Sequence, residues 1–382
     1  MQNIIIIGAF PEDISLIKGG VQASVYGLAV SLRQRNDIEN IEVISLPCKA
    51  SDKKSHERIV GDIKVNYLET SLFLALGILH LPKILSLIAK YKSPIIHIHG
   101  TGFLQLALLG VLRLQKAKIV WTLHGITAKE TLQIYRKNPT FTNITRHIFY
   151  KYIERFSISI AGNIIVDTPY VAEEINAKKP LHVIPQGIFL QEFAEIQDLQ
   201  RQLPIILSLG VISPRKGHHL AMQAFAKVRR QNPSAKLVIA GALANSKYFE
   251  QLQDLSRELK LGDAVEFRVN ASRSEIINLL GAAKIFALMS EEESQGIALC
   301  EALAAGIPIV ASNVGGIKSV VSPNKNGLLV NYPDIDKFTE SINLLLSNND
   351  LYEKFAQEAK NSSKRFDWQN ICEQIISIYA KL

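Results

Sequence analysis

Glu293 and Glu301 are separated by seven residues. The first lies in an acidic loop, residues 290–295, and the second inside a helix expected to start near Gly296 and to end at Gly306. A helix start offers unpaired backbone N–H groups and the positive end of a dipole, which is a ready place for a phosphate. Here those N–H groups belong to Gly296, Ile297 and Ala298, and Gly296 lets a ligand come close to the backbone. An ionised carboxylate accepts hydroxyl hydrogen bonds strongly. A carboxylate on each side of a phosphate pocket suits a phosphate with a polyol at each end, as in a nucleotide sugar. The plain alternative is two solvated glutamates on a surface loop and helix.

Other groups are spaced for related chemistry. In the run GVISPRKG, Arg215 and Lys216 stand just ahead of a helix expected over 218–229. Cations there face the positive dipole end, at a cost of about 0.3–1 kcal/mol. A bound anion removes that repulsion, so Lys216 reads as a diphosphate ligand with Arg215 in support. Gly19 and Gly20 open a helix after the first strand and permit close approach to a phosphate. The full G-x-G-x-x-G pattern is absent, which argues against a plain NAD enzyme. His97, His99 and His124 fall at or near the carboxyl ends of adjacent strands, where open α/β sheets bind ligands. His97 and His99 share a face because strand side chains alternate. No cofactor and no metal are expected: basic side chains and a helix dipole would meet the phosphate charge.

The elements that must position these residues alternate in type. Residues 287–316 run strand, loop, helix, strand and close on Gly315-Gly316, one βαβ unit of a parallel sheet. Apolar strand segments are expected at 3–9, 41–46, 63–68, 94–99, 119–123, 163–166 and 182–185. A second series is expected at 204–209, 236–240, 264–267, 285–289, 307–311 and 327–330. Helical stretches separate them, giving an α/β chain with two parallel sheets covered on both faces. A linker is expected through residues 193–203.

The chain has 382 residues, enough for two domains. Its three cysteines, Cys48, Cys300 and Cys372, are far apart and not in metal spacing, so reduced thiols in a cytoplasmic setting are expected. Residues 1–9 are apolar without a basic leader and read as a core strand, not a signal peptide. No apolar stretch approaches the roughly 20 residues of a spanning helix. The net charge of +8 is uneven: residues 51–155 carry sixteen Lys and Arg against six Asp and Glu. That excess suggests an anionic partner surface. Without a nucleic-acid motif or an aromatic stacking run, an anionic membrane is preferred over nucleic acid. The run 72–90, divided at Pro82, reads by default as core helix; beside Lys83, Lys90 and Lys92 it is also a candidate interfacial helix.

The pair Glu293 and Glu301, followed by Ala-Leu-Ala-Ala-Gly-Ile-Pro and then Gly315-Gly316, resembles the retaining group 1 glycosyltransferases of the GT-B fold. The resemblance spans nearly the whole chain and is strongest from Gly210 to Gly327. It implies two Rossmann-like, doubly wound domains facing each other across a cleft. Residues 1–195 would form the acceptor-side domain and 200–361 the donor-binding domain, with a helix at about 362–382 packing back on the first. It implies a UDP- or GDP-sugar donor and a glycan or lipid-linked acceptor, in polysaccharide or lipopolysaccharide synthesis at the inner face of the cell membrane. Glu301 would hold the ribose and Glu293 the donor sugar. Lys216, Arg215, Ser294 and the N–H groups of residues 296–298 would hold the diphosphate. Gly19 and Gly20 would face the donor phosphates, the backbone at Arg268 would border the base, and His124 would border donor sugar and acceptor. Glu293, His124 and Lys216 are thus the implied catalytic groups. Gln186, Phe189, Val211 and Ser319 depart from the family pattern, which usually has Asn, Asp, Arg and Glu there. A same-fold sugar-nucleotide epimerase or phosphorylase and a non-catalytic sugar-binding protein remain rival readings.

Overall fold

The computed structural model describes residues 2–15, 17, 19–46, 55–68, 79–177, 179–196, 201 and 203–382. Cys48, the first part of the run 72–90 and part of the expected linker 193–203 lie outside the described residues. The chain forms two compact units. One comprises Met1–Glu12, Gly20–Pro185 and Trp368–Leu382, the other Asp13–Gly19 and Gln186–Asp367. The break at Pro185–Gln186 falls ahead of the expected linker.

The first unit is built on eight strands: β1 Gln2–Gly8, β2 Ile38–Ser45, β3 His56–Val60, β4 Ile63–Tyr67, β5 Ile95–His99, β6 Lys118–Leu123, β7 Asn163–Val166 and β8 Leu181–Val183. Their order is β3-β4-β2-β1-β5-β6-β7-β8, and every pairing is parallel except β3 with β4. The central strands are buried throughout, IIII in β1 and IIHIH in β5, because parallel strands are covered on both faces. Ile5, Ile7, Ile96, Ile98 and Trp121 pack with Ile84, Leu108 and Leu112 from the covering helices. The helix Leu81–Ile88 buries Ile84, Leu87 and Ile88 and leaves Lys83 exposed, so the described part of the run 72–90 is core helix. The helix Trp368–Tyr379 belongs to this unit. The Trp368 indole lies where Gly27 has no side chain, and a Cβ there would stand 2.1 Å from the ring.

The second unit has six strands: β9 Ile205–Leu209, β10 Lys236–Gly241, β11 Val265–Val269, β12 Ile285–Leu288, β13 Ile309–Ser312 and β14 Gly327–Val330. They run all parallel in the order β11-β10-β9-β12-β13-β14. Successive residues feed opposite cores: Ile206, Leu237, Ile285 and Ala287 join one cluster, and Leu207, Val238, Phe286 and Leu288 the other. This two-sided burial follows from the period of two along a strand with helices on both faces. Among the parallel strands of each sheet the chain order reverses once, between β1 and β5 and between β9 and β12. At such a reversal the loops leaving the carboxyl ends diverge and open a crevice.

Candidate functional site

Lys216 follows β9 and Glu293 follows β12, the two strands that flank the reversal of the second sheet. Lys216 Nζ donates to Glu293 Oε2 at 2.5 Å, with both side chains nearly buried. Ser290 Oγ donates to the same oxygen at 3.4 Å. Burial pushes the Glu293 carboxyl up, but the Lys216 and Arg215 cations outweigh it and hold the group below the usual carboxylate range. Arg215 Nη1 donates to the Glu292 carbonyl at 3.1 Å, and the Arg215 carbonyl accepts from the Glu291 N–H at 2.9 Å. The acidic loop thus sets a carboxylate against the cations ahead of the helix His218–Gln231.

Glycines fix this loop. Gly217 has φ +66°, and a Cβ there would stand 1.9 Å from the Met289 carbonyl oxygen. At Gly315, φ +50°, a Cβ would lie 2.2 Å from the Glu293 carbonyl oxygen, which accepts the Gly316 N–H at 2.8 Å. The pair Gly315-Gly316 thus clamps the backbone that carries Glu293. Gly296, φ +84°, opens the helix Ile297–Ala304, and no side chain caps that helix start. Ser294, Gly296, Ile297 and Ala298 are half-buried, so this start is reachable. The Gln295 amide holds the loop from behind: it accepts the Gln186 N–H at 2.7 Å and donates to the Gln186 carbonyl at 3.0 Å. Its donation to Cys300 Sγ does not activate that thiol, which burial pushes up to about 12.

Glu301, one turn into the helix, is already engaged. Arg273 donates through Nη1 to Glu301 and through Nε, at 3.1 Å, and Nη2 to Glu192. The guanidinium also lies over the Phe193 ring, 5.6 Å from its centroid. Burial works against the Arg273 charge, but the Glu301 and Glu192 carboxylates outweigh it. Arg273 opens the helix Arg273–Ala282 behind a capping box of Ser272 and Glu275, and its N–H donates to the Ser15 carbonyl at 2.9 Å. The sequence reading did not single out Arg273 or Glu192. The capping box marks the helix start, but a pairing across such a separation has no local signature. Arg268 is exposed near the end of β11 and pairs with Glu266.

The first unit holds the histidines. His97 is sealed between Tyr379 Oη, 2.5 Å from Nδ1, and Thr122 Oγ1, 2.6 Å from Nε2. His99 Nδ1 lies 2.9 Å from His124 Nε2, and His124 Nδ1 lies 3.6 Å from Asp167 Oδ1. The three rings stack in sequence, with centroids 4.4 and 5.1 Å apart. Burial pushes His97 down to about 3 and His99 well below its ordinary value, so both are neutral. Asp167 faces His124 Nδ1 beyond hydrogen-bond reach, and that nitrogen is buried without a hydrogen-bond partner. His99 Nε2 is likewise a buried atom without a hydrogen-bond partner. Neither Gly19 nor Gly20 has a left-handed φ, and a Cβ at Gly19 would meet nothing within 4 Å. Glycine there leaves space rather than making a turn.

Among the described residues no group of three or more His, Cys, Asp or Glu is placed to hold a metal ion. An Asp-x-Asp spacing does occur at Asp334 and Asp336, which the sequence reading passed over. Asp334 caps the helix Ile335–Ser347 and Asp336 pairs with Lys227 at 2.5 Å. No helix among the described residues is long and apolar enough to cross a membrane.

Residues 191–362 match the family described as Glycosyl transferases group 1, and residues 18–192 match Glycosyltransferase Family 4. A D-inositol 3-phosphate glycosyltransferase of Corynebacterium urealyticum is 26% identical over 284 residues, 69% of this chain and 67% of that protein. Two further proteins of that name, from Xylanimonas cellulosilytica and Corynebacterium jeikeium, are matched over only 51% and 52% of their own length. A phosphatidyl-myo-inositol mannosyltransferase of Mycolicibacterium smegmatis is 26% identical over 95% of this chain and 90% of its own. The solved structure of sucrose-phosphate synthase from Thermosynechococcus elongatus superposes with a TM-score of 0.82 at 22% identity, covering 100% of this chain and 99% of that one. Anabaena HepE in complex with UDP-glucose gives 0.74 at 20% identity, with 100% of both chains covered.

Proposed function

The chain belongs to the group 1 glycosyltransferases and has their GT-B fold, and from that premise we propose that it moves a sugar from a UDP- or GDP-sugar to a glycan or lipid-linked acceptor with retention of anomeric configuration. The observation that carries this reading is the nearly buried Lys216–Glu293 pair beside an uncapped, reachable helix start. In the reaction, Lys216 and the N–H groups of residues 296–298 receive the diphosphate, with Arg215 and Ser294 in support. As the sugar–phosphate bond lengthens, negative charge grows on the leaving oxygen, and these fixed donors meet it without reorganisation. Glu301 accepts from the ribose hydroxyls and Glu293 from those of the sugar. The departing phosphate takes the acceptor proton on the face it leaves, which gives retention. His124 serves the acceptor side, and Gly19 and Gly20 leave room for phosphate. Neither a metal nor a cofactor is needed in this scheme.

A lipid-borne acceptor is favoured by the name of the Mycolicibacterium smegmatis relative, and a role in polysaccharide or lipopolysaccharide synthesis at the inner face of the membrane goes with it. The test is a panel of UDP-, GDP- and ADP-sugars followed by thermal shift, since a ligand bound only by the folded state raises Tm. One uridine or guanosine donor is expected to raise Tm and to be consumed only when an acceptor is present, with the product's anomeric configuration read by NMR. Conversion without acceptor would favour an epimerase, a requirement for free phosphate a phosphorylase, and binding without turnover a sugar-binding protein.

A further inference from the structure

The helix Phe141–Ile160 exposes Phe141, Ile148, Tyr152 and Phe156 at 83%, 45%, 53% and 54%. Steps of seven, four and four residues put all four on one stripe of a 3.6-residue helix. The stripe is about 22 Å long at 1.5 Å per residue. The neighbouring helix Thr127–Lys137 adds an exposed Ile134. Soluble surfaces rarely leave an aromatic row of this kind without a partner.

Charge selects the partner. Arg136, Lys137, Arg146, Lys151 and Arg155 are exposed on these two helices. Their carboxylates are only Glu130, half-buried, and Glu154, which is turned inward and accepts the Ala128 N–H at 3.2 Å. Among the described residues Arg136, Arg146, Lys151 and Arg155 form no ion pair. Lys151 and Arg155 edge the row on one flank, and an apolar row edged by cations without carboxylates is the pattern of a helix lying in an anionic lipid interface. A twofold contact with a second copy would instead set these cations against one another.

We propose that Phe141, Ile148, Tyr152 and Phe156, with Lys151 and Arg155, dock the chain on an anionic bilayer. This rests on the proposed lipid-side acceptor and names the surface that meets the membrane. The run 72–90 is the other candidate in the sequence, and its described part turns its apolar face into the core.

Flotation of the full chain with vesicles tests it, using phosphatidylcholine alone and phosphatidylcholine containing phosphatidylglycerol. Wild type floats with the phosphatidylglycerol vesicles only, and less at high salt. The double variant Lys151→Glu/Arg155→Glu lowers that partition about 100-fold or more. The quadruple variant Phe141→Ser/Ile148→Ser/Tyr152→Ser/Phe156→Ser lowers it comparably. Both keep the donor-induced rise in Tm, because no site residue is touched. Equal flotation of wild type and both variants overturns this face while leaving a membrane partner in place. A wild type that transfers sugar but never floats overturns docking and leaves sugar transfer standing. A concentration-dependent dimer that the quadruple variant dissolves, without vesicle binding, gives the face to a second copy and overturns the proposal.

Discussion

The two units each carry a polar cluster at the carboxyl ends of parallel strands, and the two clusters treat burial differently. In the second unit, charge answers charge: Lys216 with Glu293, and Arg273 between Glu301 and Glu192. In the first, the buried groups give up their charge: neutral His97 lies between two hydroxyls, and neutral His99 bonds His124 through Nδ1 alone. The difference matters for function. A charged cluster can exchange a protein partner for an anionic or hydroxylic ligand, since a lysine on a carboxylate is already desolvated and aimed. A neutral stack has no charge to exchange.

Removing a member of the charged cluster breaks the contrast most severely. Lys216→Ala and Glu301→Ala are each expected to lower transfer at least about 100-fold, the scale of losing a charged group aimed at the transition state. Both should keep a cooperative melt. Lys216→Ala should also lose about 3 kcal/mol of stability, because Glu293 is left buried and unpaired. Full activity in either variant would count against the assignment.

A smaller effect tests whether Arg273 acts through Glu301. Arg273→Ala should raise the donor KM about tenfold with a lesser change in kcat, since a loosened carboxylate weakens ribose binding in ground and transition state alike. Arg273→Lys should recover part of the charge but not the fork that reaches two carboxylates. A change confined to kcat would contradict this role.

The smallest effect belongs to the neutral stack. His97 is held near 3 in the folded chain against about 6.5 unfolded, so below pH about 6.5 the unfolded chain binds the extra proton. Stability is therefore fully present above that pH and falls as pH drops toward 3, by about 1.4 kcal/mol per pH unit for this one group. Chemical denaturation between pH 7 and 5 measures the slope, and His97→Asn should lower it by that one group's share, leaving that of His99 and His218. An unchanged slope would show that His97 is not the buried neutral group described above.

Much of this architecture is written locally. Continuous apolar runs such as IIII and IFAL announced the central strands, and the acidic loop before Gly296 announced the helix start. The edge strand His56–Val60 was missed because HERIV buries none of its residues and pairs antiparallel, so it lacks an apolar signal. At the site, the loop and helix around Glu293 were legible, and so was Lys216 ahead of its helix. Its partner was not, because the ion pair joins residues 77 positions apart. Arg273 escaped for the same reason, and Asp167 beside His124 likewise comes from another strand end. Gly315-Gly316 was visible as a pair, but its work, clamping the Glu293 carbonyl, needed the backbone in three dimensions.

The most direct measurement is a crystal structure with UDP or GDP bound. The account predicts diphosphate oxygens within hydrogen-bond distance of Lys216 Nζ and the N–H groups of residues 297–298, with the ribose on Glu301. A nucleotide seated elsewhere, with Lys216 still on Glu293 and Arg273 still on Glu301, would contradict it.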